Sequence, residues 1–231
     1  MNENEKVTLG EEKVPLKERI LFGLSAIPDQ TTYQGFSLLV FTFYFSVINL
    51  RDWVWIGFII WTIWNMINDP LLGALSDKTR QKGKWGKRKF FLIISIVPLG
   101  ITMFLLFFVP FSTATKIPEF IYFLIIIIVF EFVYTLFDVN VNAIFPEQFP
   151  SEEKRSQTNI FIKGFTVFGI ILAAVPTLTK QTPSLALGDP GYAAEIQSLQ
   201  FTYIIWGIYL AIIVIAFAIP FLLKGIKEKE E

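Results

Sequence analysis

The sequence contains no cysteine and no histidine among its 231 residues. Without cysteine the chain forms no disulfide, so cysteine usage does not reveal a redox compartment. Without histidine, a proton relay or metal site in this chain must use carboxylates, amides and hydroxyls. Since no nucleophile–base pattern replaces these residues, an enzyme is the least favoured class, although a carboxylate pair alone still permits acid–base chemistry.

Charged residues are few, at 17%, whereas hydrophobic residues make up 53% of the chain. Apolar runs of about 20 residues recur, which is the length that crosses a hydrocarbon core of about 30 Å. We predict an all-α integral membrane protein, a six-helix bundle between a polar tail (1–18) and a charged tail (224–231). The predicted spans are roughly 19–48, 53–76, 89–110, 118–146, 155–179 and 199–223.

Lysine and arginine are distributed unevenly between the two sides of these spans. With the N-terminus inside, the outer loops hold only Arg51, Lys116 and Lys180, and Lys163 lies within the fifth span. The other basic residues lie in the inner loops and tails, as expected for the cytoplasmic side. We therefore predict a multi-pass protein of the cell membrane with both termini in the cytoplasm.

Four charged residues lie at a similar depth in four different spans. Counted from the cytoplasmic helix ends at about 1.5 Å per residue, each is roughly 12–15 Å deep, near the midplane. They are Asp29, Asp69, Asp138 and Lys163. Such residues mark substrate and ion pathways, so we predict one shared polar cavity. The alternative is four separate structural pairs or snorkelling side chains.

Neutral polar residues accompany these charges at helical spacing. Asn65 and Asp69 share a helix face with Asn68 beside them. A second stripe contains Tyr134, Thr135, Asp138 and Asn142. Oxygen ligands of this kind suit a small hard cation, and carboxylates and amides also bind sugar hydroxyls; alternatively, they only join helices. Glu131 is predicted nearer the outer face, as a gate or a structural partner.

The second span runs directly into the most basic stretch of the chain. Gly73 and Asp77 precede seven cations, Lys78, Arg80, Lys82, Lys84, Lys87, Arg88 and Lys89. We predict that Gly73 permits close helix approach and that Asp77 faces this cluster as a conformational latch. The alternative is orientation alone. Because orientation already explains the charge, we expect no nucleic-acid partner.

Two motifs resemble a known family. The Gly73-x-x-x-Asp77-Lys78 loop with Gly-Lys-Arg-Lys89 resembles the loop between helices two and three of the major facilitator superfamily. Asn68-Asp-Pro-Leu-Leu-Gly73, Trp85-Gly-Lys-Arg-Lys89 and Tyr134-Thr-Leu-Phe-Asp138 are similar to the glycoside–pentoside–hexuronide:cation symporters. The resemblance extends over nearly the whole chain and corresponds to the N-terminal half of those twelve-helix proteins.

The resemblance implies roles for individual residues. Asp29 and Asp138 correspond to sugar-binding carboxylates, and Lys163 falls where the family has a sugar-contacting Arg. Asn142 replaces a sugar-stacking Trp. The implied cation site contains Asp69, Asn68 and Thr135, with Asn65 in place of a further Asp that helps to bind sodium. That exchange removes one negative charge and leaves proton coupling, a weaker sodium or lithium site, and uniport open.

The function implied is alternating-access symport of a sugar or glycoside with Na⁺ or H⁺, without another cofactor. Transport of another amphiphile or organic anion, and a non-transporting or truncated half-protein, are the alternatives. The expected partners are the substrate, the bilayer, and either a second six-helix half or a homodimer mate.

Overall fold

The computed structural model describes residues 14–79, 87–110 and 115–227. Within these ranges the regular structure is entirely helical, which confirms the predicted all-α class. The helices are α1 (Leu16–Gly23), α2 (Ala26–Thr42), α3 (Asp52–Lys78), α4 (Lys87–Leu105), α5 (Ile117–Gln148), α6 (Glu152–Ala174) and α7 (Tyr192–Pro220). Short π-helical turns follow α2 (Phe43–Val47) and α7 (Phe221–Gly225), and a 3₁₀ turn (Val175–Leu178) follows α6.

Among the residues that the structure describes, four stretches are long and apolar enough to cross a membrane by length and composition. They are Arg88–Leu105, Ile117–Gln148, Glu152–Leu178 and Tyr192–Gly225. They coincide with the third to sixth predicted spans, so the protein is multi-pass. The first two predicted spans stay predictions as membrane crossings, because α1 and α2 are short and α3 carries polar residues near its middle.

The first predicted span, 19–48, is broken rather than continuous. A two-residue turn at Leu24 and Ser25 separates α1 from α2. Pro28 follows in the first turn of α2, where a missing N–H costs little because the first four N–H groups of a helix lack intrahelical partners. This break places Asp29 in the first turn of α2, beside a cavity.

Helix packing follows a linear series of neighbours that runs from α6 to α3. α6 packs on α2, α2 on α7, α7 on α4, α4 on α5 and α5 on α3. Aromatic rings fill the centre: Phe36 of α2 stacks on Phe130 of α5 at 4.8 Å between centroids and lies 5.2 Å from Trp61 of α3. These contacts fix α2, α3 and α5 around the polar residues singled out above.

α3 presents an open face. Ile59, Ile63, Met66 and Ile67 are 54–74% exposed along it, and Asp69 is exposed among them. Exposed apolar side chains are ordinary against lipid, whereas an exposed carboxylate at this level of a helix requires a polar neighbour. α3 therefore carries one acid on an exposed face that is otherwise mainly apolar.

Candidate functional site

A cavity of about 360 Å³ lies beside the break between α1 and α2. This volume is within the range of small-molecule sites. Four of the five predicted substrate residues line it: Asp29, Asp138, Asn142 and Lys163. The remaining lining combines polar Ser25, Gln30, Asn159 and Thr166 with apolar Phe22, Ala26, Val141, Phe145 and Ile162. We call this the Asp29–Asp138 cavity.

The two carboxylates of this cavity are each held by neighbouring donors. Asp29 accepts hydrogen bonds from the Gln30 amide at 2.8 Å and the Tyr134 hydroxyl at 2.9 Å. Asp138 accepts from the Asn142 amide at 2.7 Å, one helical turn along α5. Each carboxylate keeps free lone pairs, so both are oriented acceptors for hydroxyl groups in the cavity.

Tyr134 lies in a different place from the other predicted substrate residues. Its ring stacks on Phe130 at 6.1 Å and on Tyr33 at 6.3 Å between centroids, and its hydroxyl donates to Asp29. It is not among the residues lining the cavity in the described chain. Its geometry is that of a residue that positions Asp29.

Lys163 reaches the cavity from α6 and is exposed. Among the described residues it makes no ion pair and no side-chain hydrogen bond, although two carboxylates line the same cavity. An ammonium group on a flexible stem is thus available to a ligand. The cavity combines two acidic acceptors with one cationic donor.

A second polar group lies between α3 and α5, and we call it the carboxylate cluster: Trp61, Asn65, Asp69, Glu131 and Thr135. Glu131 accepts from the Trp61 indole N–H at 2.8 Å and from the Asn65 amide at 2.6 Å. The Thr135 hydroxyl is 3.0 Å from Asp69 Oδ1 and 3.3 Å from Glu131 Oε1. Three of the four residues predicted for the cation site are therefore brought together.

Asn68, the fourth predicted cation residue, borders the cluster. It is fully buried, and its amide donates to the Glu131 backbone carbonyl at 3.3 Å. Its Oδ1 atom has no hydrogen-bond partner within the described ranges. A buried amide oxygen without a donor is costly, so a donor or a cation at this oxygen would be stabilising.

Two expectations about this region gain detail from the structure. Glu131 was predicted to be a gate or a structural partner, and its hydrogen bonds to Trp61 and Asn65 of α3 fit a structural partner that also contacts the residues predicted to bind the cation. Asp69 was expected to share one cavity with Asp29, Asp138 and Lys163, yet it is not among the lining residues described. α3 packs on α5 whereas α6 packs on α2, so Asp69 and Lys163 belong to two neighbouring polar groups.

The predicted latch residues lie near the ends of α3, α4 and α5 that are predicted to face the cytoplasm. Arg88 of α4 contacts Asp77 of α3 at 2.8 Å and Glu147 of α5 at 3.0 Å. Its guanidinium also donates to Ser76 at 3.2 Å, and Ser76 donates to Asn140 at 2.6 Å. Arg88 is only 7% exposed. This network joins the helix ends in the conformation observed.

The remaining latch predictions fare differently. Lys78 is exposed, and Arg80 and the Lys87 side chain lie outside the described residues. The close helix approach expected at Gly73 is wrong, because a Cβ there would meet only Val139 Cγ1 at 3.8 Å, an ordinary contact distance. Sequence reasoning also missed Glu147, since a cluster of seven cations does not reveal which of them reaches an acid on another helix.

Comparison with known proteins decides the family. The sequence matches the family described as MFS/sugar transport protein over residues 21–231. The chain belongs to this family. The predicted resemblance is thereby confirmed, and the all-helical structure fits part of a major facilitator superfamily bundle.

Curated relatives of this family member are named as symporters. The chain is 28% identical over 117 residues to an uncharacterized symporter of Synechocystis, covering 49% of this chain and 21% of that protein. It is 31% identical over 130 residues to the putative glycoside/cation symporter YagG of Escherichia coli, covering 55% of this chain and 27% of YagG. The inner membrane symporter YicJ of the same species is 26% identical over 100 residues, covering 43% and 21%.

The matched segments thus span only about a quarter of these relatives' own lengths. They fit the N-terminal half of a glycoside–pentoside–hexuronide symporter. Membership of this family implies a membrane transporter rather than an enzyme.

Proposed function

We propose that this chain forms the N-terminal half of a symporter that carries a sugar or glycoside across the cell membrane by alternating access. The observation that carries the proposal is the Asp29–Asp138 cavity, in which two oriented carboxylates face a cationic side chain. Carboxylates accept hydrogen bonds from hydroxyl pairs, and charged acceptors make the stronger bonds. The apolar lining residues Phe22 and Phe145 supply a surface for a sugar's C–H face.

The coupling cation, Na⁺ or H⁺, binds in the carboxylate cluster. Support comes from Asp69 and Thr135, whose oxygens lie 3.0 Å apart, and from the unpartnered Asn68 oxygen. Tyr134 and Thr135 are adjacent on α5 and hold Asp29 and Asp69 respectively. A cation at Asp69 that shifts this part of α5 therefore changes the position of the sugar-binding carboxylates.

Alternating access requires a second wall and a switch. We propose that a second six-helix half, or a homodimer mate, covers the open face of α3 that exposes Asp69. The Arg88 network with Asp77 and Glu147 holds the cytoplasmic helix ends together in one conformation and breaks in the other. The inner-loop lysines and arginines support cytoplasmic termini.

The decisive test is uptake of labelled methyl hexosides and methyl pentosides into proteoliposomes, with and without Na⁺ or pH gradients and with any partner half. Asp138→Asn removes the charge but keeps the size of the side chain, so we expect glycoside uptake to be lost while membrane insertion is retained. Asp52→Asn, an exposed change at the start of α3, is the matched control. Undiminished uptake by Asp138→Asn contradicts the proposal.

A second candidate substrate class is an organic anion or anionic amphiphile. The observation that favours it is Lys163, a cation in the cavity without an ion-pair partner among the described residues. Uptake of labelled anions that Lys163→Met abolishes, with no glycoside uptake in the unmodified protein, distinguishes this candidate from the first.

A further inference from the structure

Glu131 is the residue around which the carboxylate cluster is assembled. Two N–H donors converge on its carboxylate, the Trp61 indole at 2.8 Å and the Asn65 amide at 2.6 Å, and the Thr135 hydroxyl oxygen lies 3.3 Å away. It is 2% exposed. A carboxylate is excluded from water at such cost only where partners or a bound cation offset its charge.

Glu131 adds a second acid to the one that α3 carries in the cluster. Within the cluster α3 offers one carboxylate, Asp69, because Asn65 on the same helix is neutral. Glu131 reaches the same point from α5, with its Oε1 only 2.6 Å from Asn65 Nδ2. The cluster therefore holds one acid from each of two helices, and Thr135 lies between them.

The cluster also has more acceptor oxygens than hydrogens to bind them. Thr135 has a single hydroxyl hydrogen, yet its oxygen lies 3.0 Å from an Asp69 oxygen and 3.3 Å from a Glu131 oxygen. One hydrogen serves only one of these acceptors. The buried Oδ1 of Asn68, on the same stretch of α3, has no donor among the described residues. A proton or a monovalent cation would meet these unfilled acceptors.

We propose that Glu131 is the second acidic ligand of the coupling cation and supplies from α5 the charge that Asn65 does not supply from α3. This inference rests on the proposed function and specifies its cation site. The cation then links two helices through their acids, Asp69 on α3 and Glu131 on α5. Its binding draws together the helices that Asp69 and Thr135 already connect.

The test uses the full chain in proteoliposomes and titrations with NaCl, LiCl and acid, with choline chloride as the ionic-strength control. The signal is tryptophan fluorescence, since the Trp61 indole donates to Glu131, and Trp61→Phe identifies its share. We expect Glu131→Gln to raise the half-saturating concentration of the active cation at least 30-fold. Glu119→Gln, a change to another buried acid of α5, should shift it less than twofold.

A charge-relocation variant separates ligation from a structural role. N65D/E131Q returns the acid to α3 and the amide to α5, and we expect it to recover cation affinity to within about fivefold of the unmodified protein. If Glu131 only holds α3 and α5 together, the double variant will be no better than Glu131→Gln, and the proposal is overturned.

Two further outcomes distinguish a failure of the Glu131 proposal from a failure of the proposed function. An unchanged response in Glu131→Gln, together with a lost response in Asp69→Asn, overturns the role of Glu131 and leaves the proposed function standing. No response of the unmodified protein to any of the three cations contradicts coupled transport itself, and the inference falls with it.

Discussion

The Asp29–Asp138 cavity and the carboxylate cluster both combine an acid of α5 with an acid of an earlier helix, but they hold these acids differently. In the cavity each carboxylate has one or two donors, and Lys163 remains available beside about 360 Å³ of space. In the cluster the side chains of α3 and α5 contact each other directly, with acceptors in excess of hydrogens. The first arrangement suits a bulky polyhydroxylated molecule, whereas the second suits an ion without its water. We therefore expect substitutions to affect one site far more than the other.

The largest expected effect comes from removing one acid from each site. Asp29→Asn should weaken glycoside binding about 10- to 100-fold, because hydrogen bonds to charged groups contribute roughly 1.5–3 kcal/mol each, and should leave the cation titration nearly unchanged. Asp69→Asn should abolish the cation response and weaken glycoside binding only where cation is present. Equilibrium binding of a labelled methyl glycoside, with and without cation, measures both. Equal losses of both activities in both variants would show that the sites are one.

A smaller effect is expected from Lys163→Met, which keeps the length of the side chain and removes the only cation among the described residues lining the cavity. Glycoside affinity should fall about 10-fold, the loss of roughly one charge-assisted hydrogen bond. The half-saturating concentration of the cation should stay the same. Lys180→Met, in the outer loop, is the matched control for loss of a lysine, and it should leave glycoside affinity unchanged.

Tyr134→Phe tests how the cavity acids are positioned. The change removes the 2.9 Å hydrogen bond to Asp29 and preserves the ring that stacks on Phe130. A net loss of about 1 kcal/mol is expected, which corresponds to roughly fivefold weaker glycoside binding. Tyr192→Phe, near the start of α7, is the control. A loss as large as that of Asp29→Asn would instead indicate that Tyr134 itself contacts the substrate.

We expect the smallest functional effect from a change in how α3 packs on α5. This effect should be confined to the carboxylate cluster. A Cβ at Gly57 would lie 2.3 Å from the buried Phe123 ring of α5, so Gly57→Ala should push the two helices apart and cost about 1–3 kcal/mol of stability. Gly73→Ala would place its Cβ 3.8 Å from Val139 Cγ1, an ordinary contact distance, and should be nearly neutral. Thermal unfolding in detergent measures stability. We expect the affinity for the cation to fall only in Gly57→Ala. An equal effect of both changes would contradict the packing described.

Sequence reasoning predicted much of the fold because apolar length is a local property. Four of the predicted spans coincide with helices suited to cross a membrane, and the motifs around Asp69 and Asp138 identified the family. The break at Leu24 and Ser25 escaped prediction, because the apolar run continues through it. The pairing of Arg88 with Glu147 was missed as well, since it joins residues 59 positions apart and no local pattern encodes that contact.

The sequence by itself determined the class of protein and the list of charged residues within the predicted spans. The lengths of the apolar runs and the positions of the charges are local properties of the chain. What only the tertiary structure decided is how those charges are divided. A count of depth along each helix measures position normal to the membrane and gives no information about position within its plane. The packing of α6 on α2 and of α3 on α5 placed Lys163 and Asp69 in different polar groups, and the contact of α3 with α5 brought Glu131 to Asn65.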